Sequence, residues 1–160
     1  MRKIVNPFVE AYGENYHCFG CSPTNKIGLN LNFFEEDGVT MAEWEPSRNF
    51  EGYHNVLHGG IQATMHDEIA SWAVYTQCET AGVTSNLNVS YHHPLYLSSN
   101  KKITLKATLK KQEERKAIFE TELINEKGEV CSSAIVEYFL FPKPIAVRKY
   151  FYPGKEAFFE

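Results

Sequence analysis

The chain has 160 residues, 43% of them hydrophobic and 14% aromatic, enough apolar material to bury one substantial core, and it is read as a single domain over 1–160. Its 16 basic and 20 acidic residues leave a formal net charge of −4, so it lacks the cationic surplus that nucleic-acid binders use to neutralise phosphates. No apolar run approaches the length of a membrane span, and Met1-Arg2-Lys3 is not followed by the apolar stretch of a signal peptide, which predicts a cytoplasmic protein partnered by neither membrane nor nucleic acid.

In chain order, residues 7–17 predict a short helix and 18–28 a loop punctuated by Gly20, Pro23, Asn25 and Gly28. Within that loop, Cys18-Phe19-Gly20-Cys21 has a zinc-like spacing, and His17 beside it could supply a nitrogen ligand. The second pair is missing, because Cys78 falls near a helix end and Cys131 in a strand; the expectation is a turn with packed thiols and no metal. Leu29, Leu31 and Phe33 alternate with Asn30 and Asn32, then Glu36-Asp37-Gly38 signals a turn before Val39 to Trp44, so a hairpin is predicted. A polar connection over 47–57 leads into a long helix placed at 59–79. Alternating runs at 84–93, 102–111, 116–124 and 130–141 follow, with Asn125-Glu126-Lys127-Gly128 as the last hairpin turn. The core is therefore expected over about 18–141. The tail, 142–160, carries Pro142, Pro144 and Pro153 among aromatic residues and is expected to pack on its own domain or on a neighbouring subunit.

Two strands, one long helix and four strands imply an α+β fold with a curved antiparallel sheet around the helix. Ile61, Met65 and Ile69 recur at helical spacing, with Ala70, Trp72, Ala73 and Val74 filling other directions, so the helix should be buried almost all round. Asp67 and Glu68 sit in its middle, where an unpaired carboxylate is costly and often marks chemistry. Gly59 and Gly60 at the helix start offer free amides and the positive end of the dipole, an oxyanion site in outline. Gly60 and Asp67 share a face but stand roughly 10 Å apart along the axis, too far to act on one carbonyl from one helix. Two copies with antiparallel helices close that gap, which predicts at least a dimer with two composite sites. Asp67 would then be a general base or a nucleophile, with Ser71 one turn later orienting water or carboxylate.

His58-Gly59-Gly60 followed by Asp67-Glu68, with Gly52-Tyr53 upstream, resembles the hotdog-fold acyl-CoA thioesterases of the phenylacetyl-CoA thioesterase branch, over about Cys18 to Phe141. The resemblance implies hydrolysis of an acyl-CoA thioester to free acid and coenzyme A by a dimer or a tetramer of dimers, with no cofactor. It also implies catalytic roles for Asp67, Gly59 and Ser71, and a site-lining role for Thr84 within Thr84-Ser85-Asn86-Leu87-Asn88-Val89-Ser90-Tyr91. Gly52 stands where several relatives carry Asn or Gln, and His54 is the substitute nearest in the chain. The substrate-binding set is completed by Gly60, His58 and Glu68; His58 also suits a bracing hydrogen bond at the helix start, and Glu68 rivals Asp67. Lys110, Lys111, Arg115, Lys116, Arg148 and Lys149 are the available cations for coenzyme A phosphates, and Trp72, Tyr75, Tyr91 and Tyr96 the aromatics available to an acyl group. An acyl-thioester dehydratase or hydratase, and a non-catalytic acyl-CoA-binding module, are the alternative readings.

Overall fold

A computed structural model describes residues 1–160. Seven strands form one antiparallel sheet in the order β1-β2-β3-β5-β6-β7-β4, where β1 is Arg2–Ile4, β2 Asn32–Glu36, β3 Val39–Trp44, β4 Gly82–Tyr91, β5 Ile103–Gln112, β6 Lys116–Ile124 and β7 Val130–Leu140. A short helix α1 (Phe8–Tyr12) precedes the loop, the long helix α2 (Gly59–Ala73) joins β3 to β4, and α3 (Lys143–Tyr150) lies in the tail. α2 packs against β3, β4, β5, β6 and β7, so the sheet curls round it as the sequence predicts. Met65, Ile69, Ala70, Trp72 and Ala73 are buried together on it. Removing a side chain of this size from water stabilises the fold by about 1.5–3 kcal/mol, before the entropy of ordering it is counted.

The differences from the predicted elements have local causes. The first hairpin strand begins at Asn32 rather than Leu29. Asn30 takes the left-handed region at φ 53, and the amides of Leu29 and Leu31 donate to Phe19 O and Gly20 O at 2.8 and 2.9 Å, binding this stretch to the cysteine loop instead of to β3. β1 shows no pattern of its own, since only Ile4 of its three residues is buried. The predicted helix end at 79 is reached through five residues in wider π geometry, Val74–Cys78, before Glu79 turns left-handed. The tail folds back on its own domain: Tyr152 and Phe158 are buried, Tyr152 donates to Tyr75 O at 3.0 Å, and the Phe158 ring stacks on Tyr75 at 5.3 Å. α3 tolerates Pro144 because it falls in the first turn, where no helical amide is required.

β4 is the exception to the well-covered sheet. It pairs only with β7 and leaves ten residues of open edge. Leu87 is 36% and Tyr91 52% exposed, with Val83, Ile135 and Phe139 exposed close by. A bulge between Thr84 and Asn86 reverses the strand's parity, so Thr84 and Tyr91 both face α2 although seven residues apart.

Candidate active site

The centre of α2 holds a small polar cluster against β4 and β7. Thr84 Oγ1 donates to Asp67 Oδ1 at 2.5 Å, and Tyr138 Oη donates to the same oxygen and to the Asp67 carbonyl, both at 2.9 Å. Two hydroxyl donors to one carboxylate oxygen fix its direction, while Oδ2 accepts from no protein group. Ser71, one turn on, approaches the Tyr138 hydroxyl, whose pKa is raised by burial and by the neighbouring Asp67 charge. The protonated phenol is thus the form present at neutral pH, and it can only donate to Asp67 here. Asp67, Ser71 and Thr84 are brought together as the sequence reading expects. Tyr138 was missed, although a tyrosine on the buried parity of β7 needs a partner for its hydroxyl and so carries a signal.

At the helix start the two glycines have different duties. His58 is the N-cap, and its Nδ1 accepts from the Gly60 amide at 2.9 Å. The Gly60 amide, expected to meet substrate, is thus engaged by the cap, and His58 braces the helix start. The Gly59 amide makes no hydrogen bond within the chain, and Tyr91 Oη donates to the Gly59 carbonyl at 2.5 Å. A Cβ on Gly59 would stand 3.5 Å from that hydroxyl, an ordinary contact. Gly59 and Asp67 are eight residues apart on one helix, about 12 Å along its axis. One copy therefore cannot bring both to a single carbonyl.

Two other predicted residues, Glu68 and His54, lie outside the cluster, as does His66. Glu68, expected to line the site as a rival of Asp67, points away from it, toward Cys18 at 3.5 Å and Trp72 Nε1 at 3.2 Å. A step of one residue turns a helical side chain by about 100°, and here that carries it to another face of α2. His54 sits on the exposed loop, its side chain 95% accessible, with Nδ1 3.6 Å from Glu51 rather than near Asp67. His66 is buried between Thr121 Oγ1 at 2.7 Å and Ser132 Oγ at 2.8 Å, and burial lowers its pKa from 6.5 to about 4, so it is a neutral core residue.

The cations considered for phosphates divide in two. Lys110, Lys111, Arg115 and Lys116 each pair with a glutamate, at 3.4, 3.0, 3.4 and 3.7 Å, whereas Arg148 and Lys149 in the last turn of α3 form no ion pair. Of the aromatics, Trp72 and Tyr75 belong to the core cluster with Phe8 and Phe158, and only Tyr91 touches the helix start. A surface hollow of about 710 Å³ lies over β2 and β3 between Phe33, Trp44 and Lys102, remote from the Asp67 cluster. No helix is long and apolar enough to cross a membrane.

Comparison with known proteins agrees with this layout. Residues 54–132, just under half of the chain, match the model of the Thioesterase superfamily. An uncharacterized protein of Schizosaccharomyces pombe is 34% identical over 98 residues, 60% of this chain and 55% of that one, so the chain spans about half the length of the curated relative it matches. A hypothetical thioesterase protein of Streptococcus pneumoniae, solved with coenzyme A, superposes with a TM-score of 0.65 at 20% identity, covering 71% of this chain and 90% of that one. The E. coli PaaI protein from the phenylacetic acid degradation operon gives 0.62 at 15% identity, covering 72% and 82%. The matched segment runs from the loop before α2 into the first residues of β7 and contains Gly59, Asp67, Ser71 and Thr84. The curved seven-stranded sheet around one long helix is the hotdog fold of these solved structures, and the segment that carries the helix resembles the thioesterase superfamily.

Proposed function

We propose that the protein is an acyl-CoA thioesterase working as a homodimer, with each active site shared between two copies. The observation that carries this is the Asp67 carboxylate, held by Thr84 and Tyr138 with Oδ2 free, directly beside the open edge of β4. β4 runs antiparallel to α2, with Thr84 at Asp67 and Tyr91 at Gly59. Two β4 edges pairing antiparallel about a two-fold axis between Leu87 and Asn88 set Thr84 opposite the partner's Tyr91. Asp67 of one copy then stands beside the free Gly59 amide of the other. Pairing also covers Leu87 and Tyr91 and satisfies the unpaired strand edge. A coenzyme A complex of a structural neighbour, the S. pneumoniae protein, supports this substrate class.

In this geometry the thioester carbonyl oxygen accepts from the Gly59 amide at the positive end of α2. Asp67 Oδ2 removes a proton from water as the water oxygen attacks the carbonyl carbon. The tetrahedral intermediate collapses with loss of the coenzyme A thiolate, which takes up the proton and leaves as the thiol; the acyl group leaves as the free acid. Thr84 and Tyr138 keep the carboxylate aimed throughout. The test is release of free thiol from short, long and aromatic acyl-CoAs by the wild type and by Asp67→Asn. Turnover of at least one class that is lost in the variant is expected. An enoyl thioester hydrated without thiol release would instead identify a hydratase, and saturable binding with the thioester intact would identify a binding module. A single turnover in ¹⁸O-water with the label entering the acid and not Asp67 is expected for the base; label in Asp67 would make it the nucleophile.

A further inference from the structure

The second carboxylate of α2 meets the cysteine loop in an arrangement that the thioesterase site does not use. Cys18 Sγ and Cys21 Sγ are 2.8 Å apart, Glu68 Oε1 is 3.5 Å from Cys18 Sγ, and one ligand atom from each of the three lies within 4.8 Å of the others. The loop is shaped around this carboxylate. A Cβ on Gly20 would lie 2.4 Å from Glu68 Cδ, so only glycine admits the side chain without displacing it. Leu29 and Leu31 pin the loop from behind by their hydrogen bonds to Phe19 and Gly20.

Around the three ligand atoms stand donors of the kind that orient metal ligands. The Cys21 amide points at Cys18 Sγ from 3.4 Å, Trp72 Nε1 donates to Glu68 Oε1, and Tyr16 Oη lies 2.9 Å from Cys21 Sγ. No lysine, arginine or histidine pairs with Glu68. Three acidic side chains thus converge on a largely enclosed point with no counter-cation. A divalent ion bound between them would supply the missing positive charge to two sulfurs and a carboxylate at once.

We propose that Cys18, Cys21 and Glu68 form a binding site for a thiophilic divalent cation of the zinc class, which clamps the 18–31 loop to the face of α2 that Asp67 does not occupy. Two sulfurs and a carboxylate select zinc over magnesium or calcium. His17, exposed beside the pair, is not among the converging ligands, so the fourth tetrahedral position falls to water. At a zinc–sulfur distance of about 2.3 Å, tetrahedral geometry sets the sulfurs about 3.8 Å apart. Binding therefore opens the thiol pair by about 1 Å, a small torsional adjustment of two cysteine side chains.

The site is tested by titrating reduced, metal-free protein with Co²⁺. One equivalent per chain is expected to give a thiolate-to-cobalt charge-transfer band and the intense visible bands of tetrahedral cobalt, both removed by Zn²⁺. Cys18→Ser and Cys21→Ser should abolish them, and Glu68→Gln should shift the visible bands and weaken binding at least tenfold. Zn²⁺ should also raise the melting temperature of the wild type. Should the serine variants fail to fold, Cys78→Ala/Cys131→Ala retains the pair and must keep the full signal. No charge-transfer band in protein whose thiols are all titratable, a band that survives Cys18→Ser/Cys21→Ser, or a pair that only oxidises to a disulfide would each overturn the proposal.

Discussion

Asp67 and Glu68 are one peptide bond apart on α2 and meet opposite surroundings. Asp67 lies beneath the open edge strand, takes two hydroxyl hydrogen bonds on one oxygen and keeps the other free; Glu68 is enclosed by Trp72, Cys18, Cys21 and a glycine that makes room for it. The difference comes from the helix period acting inside a curved sheet. On an amphipathic surface helix one of two adjacent acids could relax into water, but here each is committed to the particular wall it faces. The teaching is that a buried carboxylate is specified by what surrounds it, and that adjacency in sequence says little about shared function.

The contrast is tested most severely at Asp67 itself. Replacing it by Asn should lower kcat for acyl-CoA hydrolysis by about 10²–10⁴-fold, the usual contribution of a positioned base, with little change in KM. The next effect is at the edge strand that gives the Asp67 side its meaning. Leu87→Lys, read by analytical ultracentrifugation and thiol release, should give a monomer with activity reduced by about a hundredfold, whereas an active monomer would mean that the site needs no second copy.

A third direction on α2 is sampled by His66, and pH reads it. Its pKa is lowered from 6.5 to about 4 by burial, so the unfolded chain binds more protons through that interval. Its contribution is therefore complete above about pH 6.5 and is lost as pH falls through 4, on the order of 3 kcal/mol in all. Denaturant unfolding between pH 7 and 4 should show this loss, and His66→Gln should flatten it.

Glycine substitutions separate the two carboxylate faces by stability. Gly20→Ala crowds Glu68 and should cost about 1–3 kcal/mol, while Gly59→Ala meets only an ordinary contact with Tyr91 and should stay within about 1 kcal/mol of wild type while slowing hydrolysis. The mildest change is Tyr138→Phe. Thr84 still holds Asp67, so a roughly tenfold fall in kcat is expected, with an unchanged oligomeric state.

Much of this was legible in the residues because the signals were local and strict. β3 and β6 fall on the predicted 39–44 and 116–124, where alternation is regular and turns flank the runs. The buried helix announced itself through an absent polar face. What the chain did not disclose depended on distant partners: Leu29 and Leu31 alternate like a strand but bond to the cysteine loop, and β1 is a strand only because β2 is there to pair with it. At the site, spacing alone placed Gly59 at the start of α2 and Asp67 and Ser71 one turn apart near its middle. The direction of Glu68 and the capture of the Gly60 amide by His58 needed coordinates, because both are decided by which wall or side chain stands nearest.

The bulge at Ser85 acts as a phase shifter. By adding one residue it lets the two ends of β4 address the middle and the start of the same helix, and in a symmetric pair each strand would carry half of both reaction centres. Excising Ser85 would turn Thr84 outward while Tyr91 kept its direction, uncoupling the carboxylate from the strand that orients it although every functional side chain were still present. Length, not only identity, is therefore under constraint in this segment, and a lone insertion or deletion here should be more harmful than most single replacements.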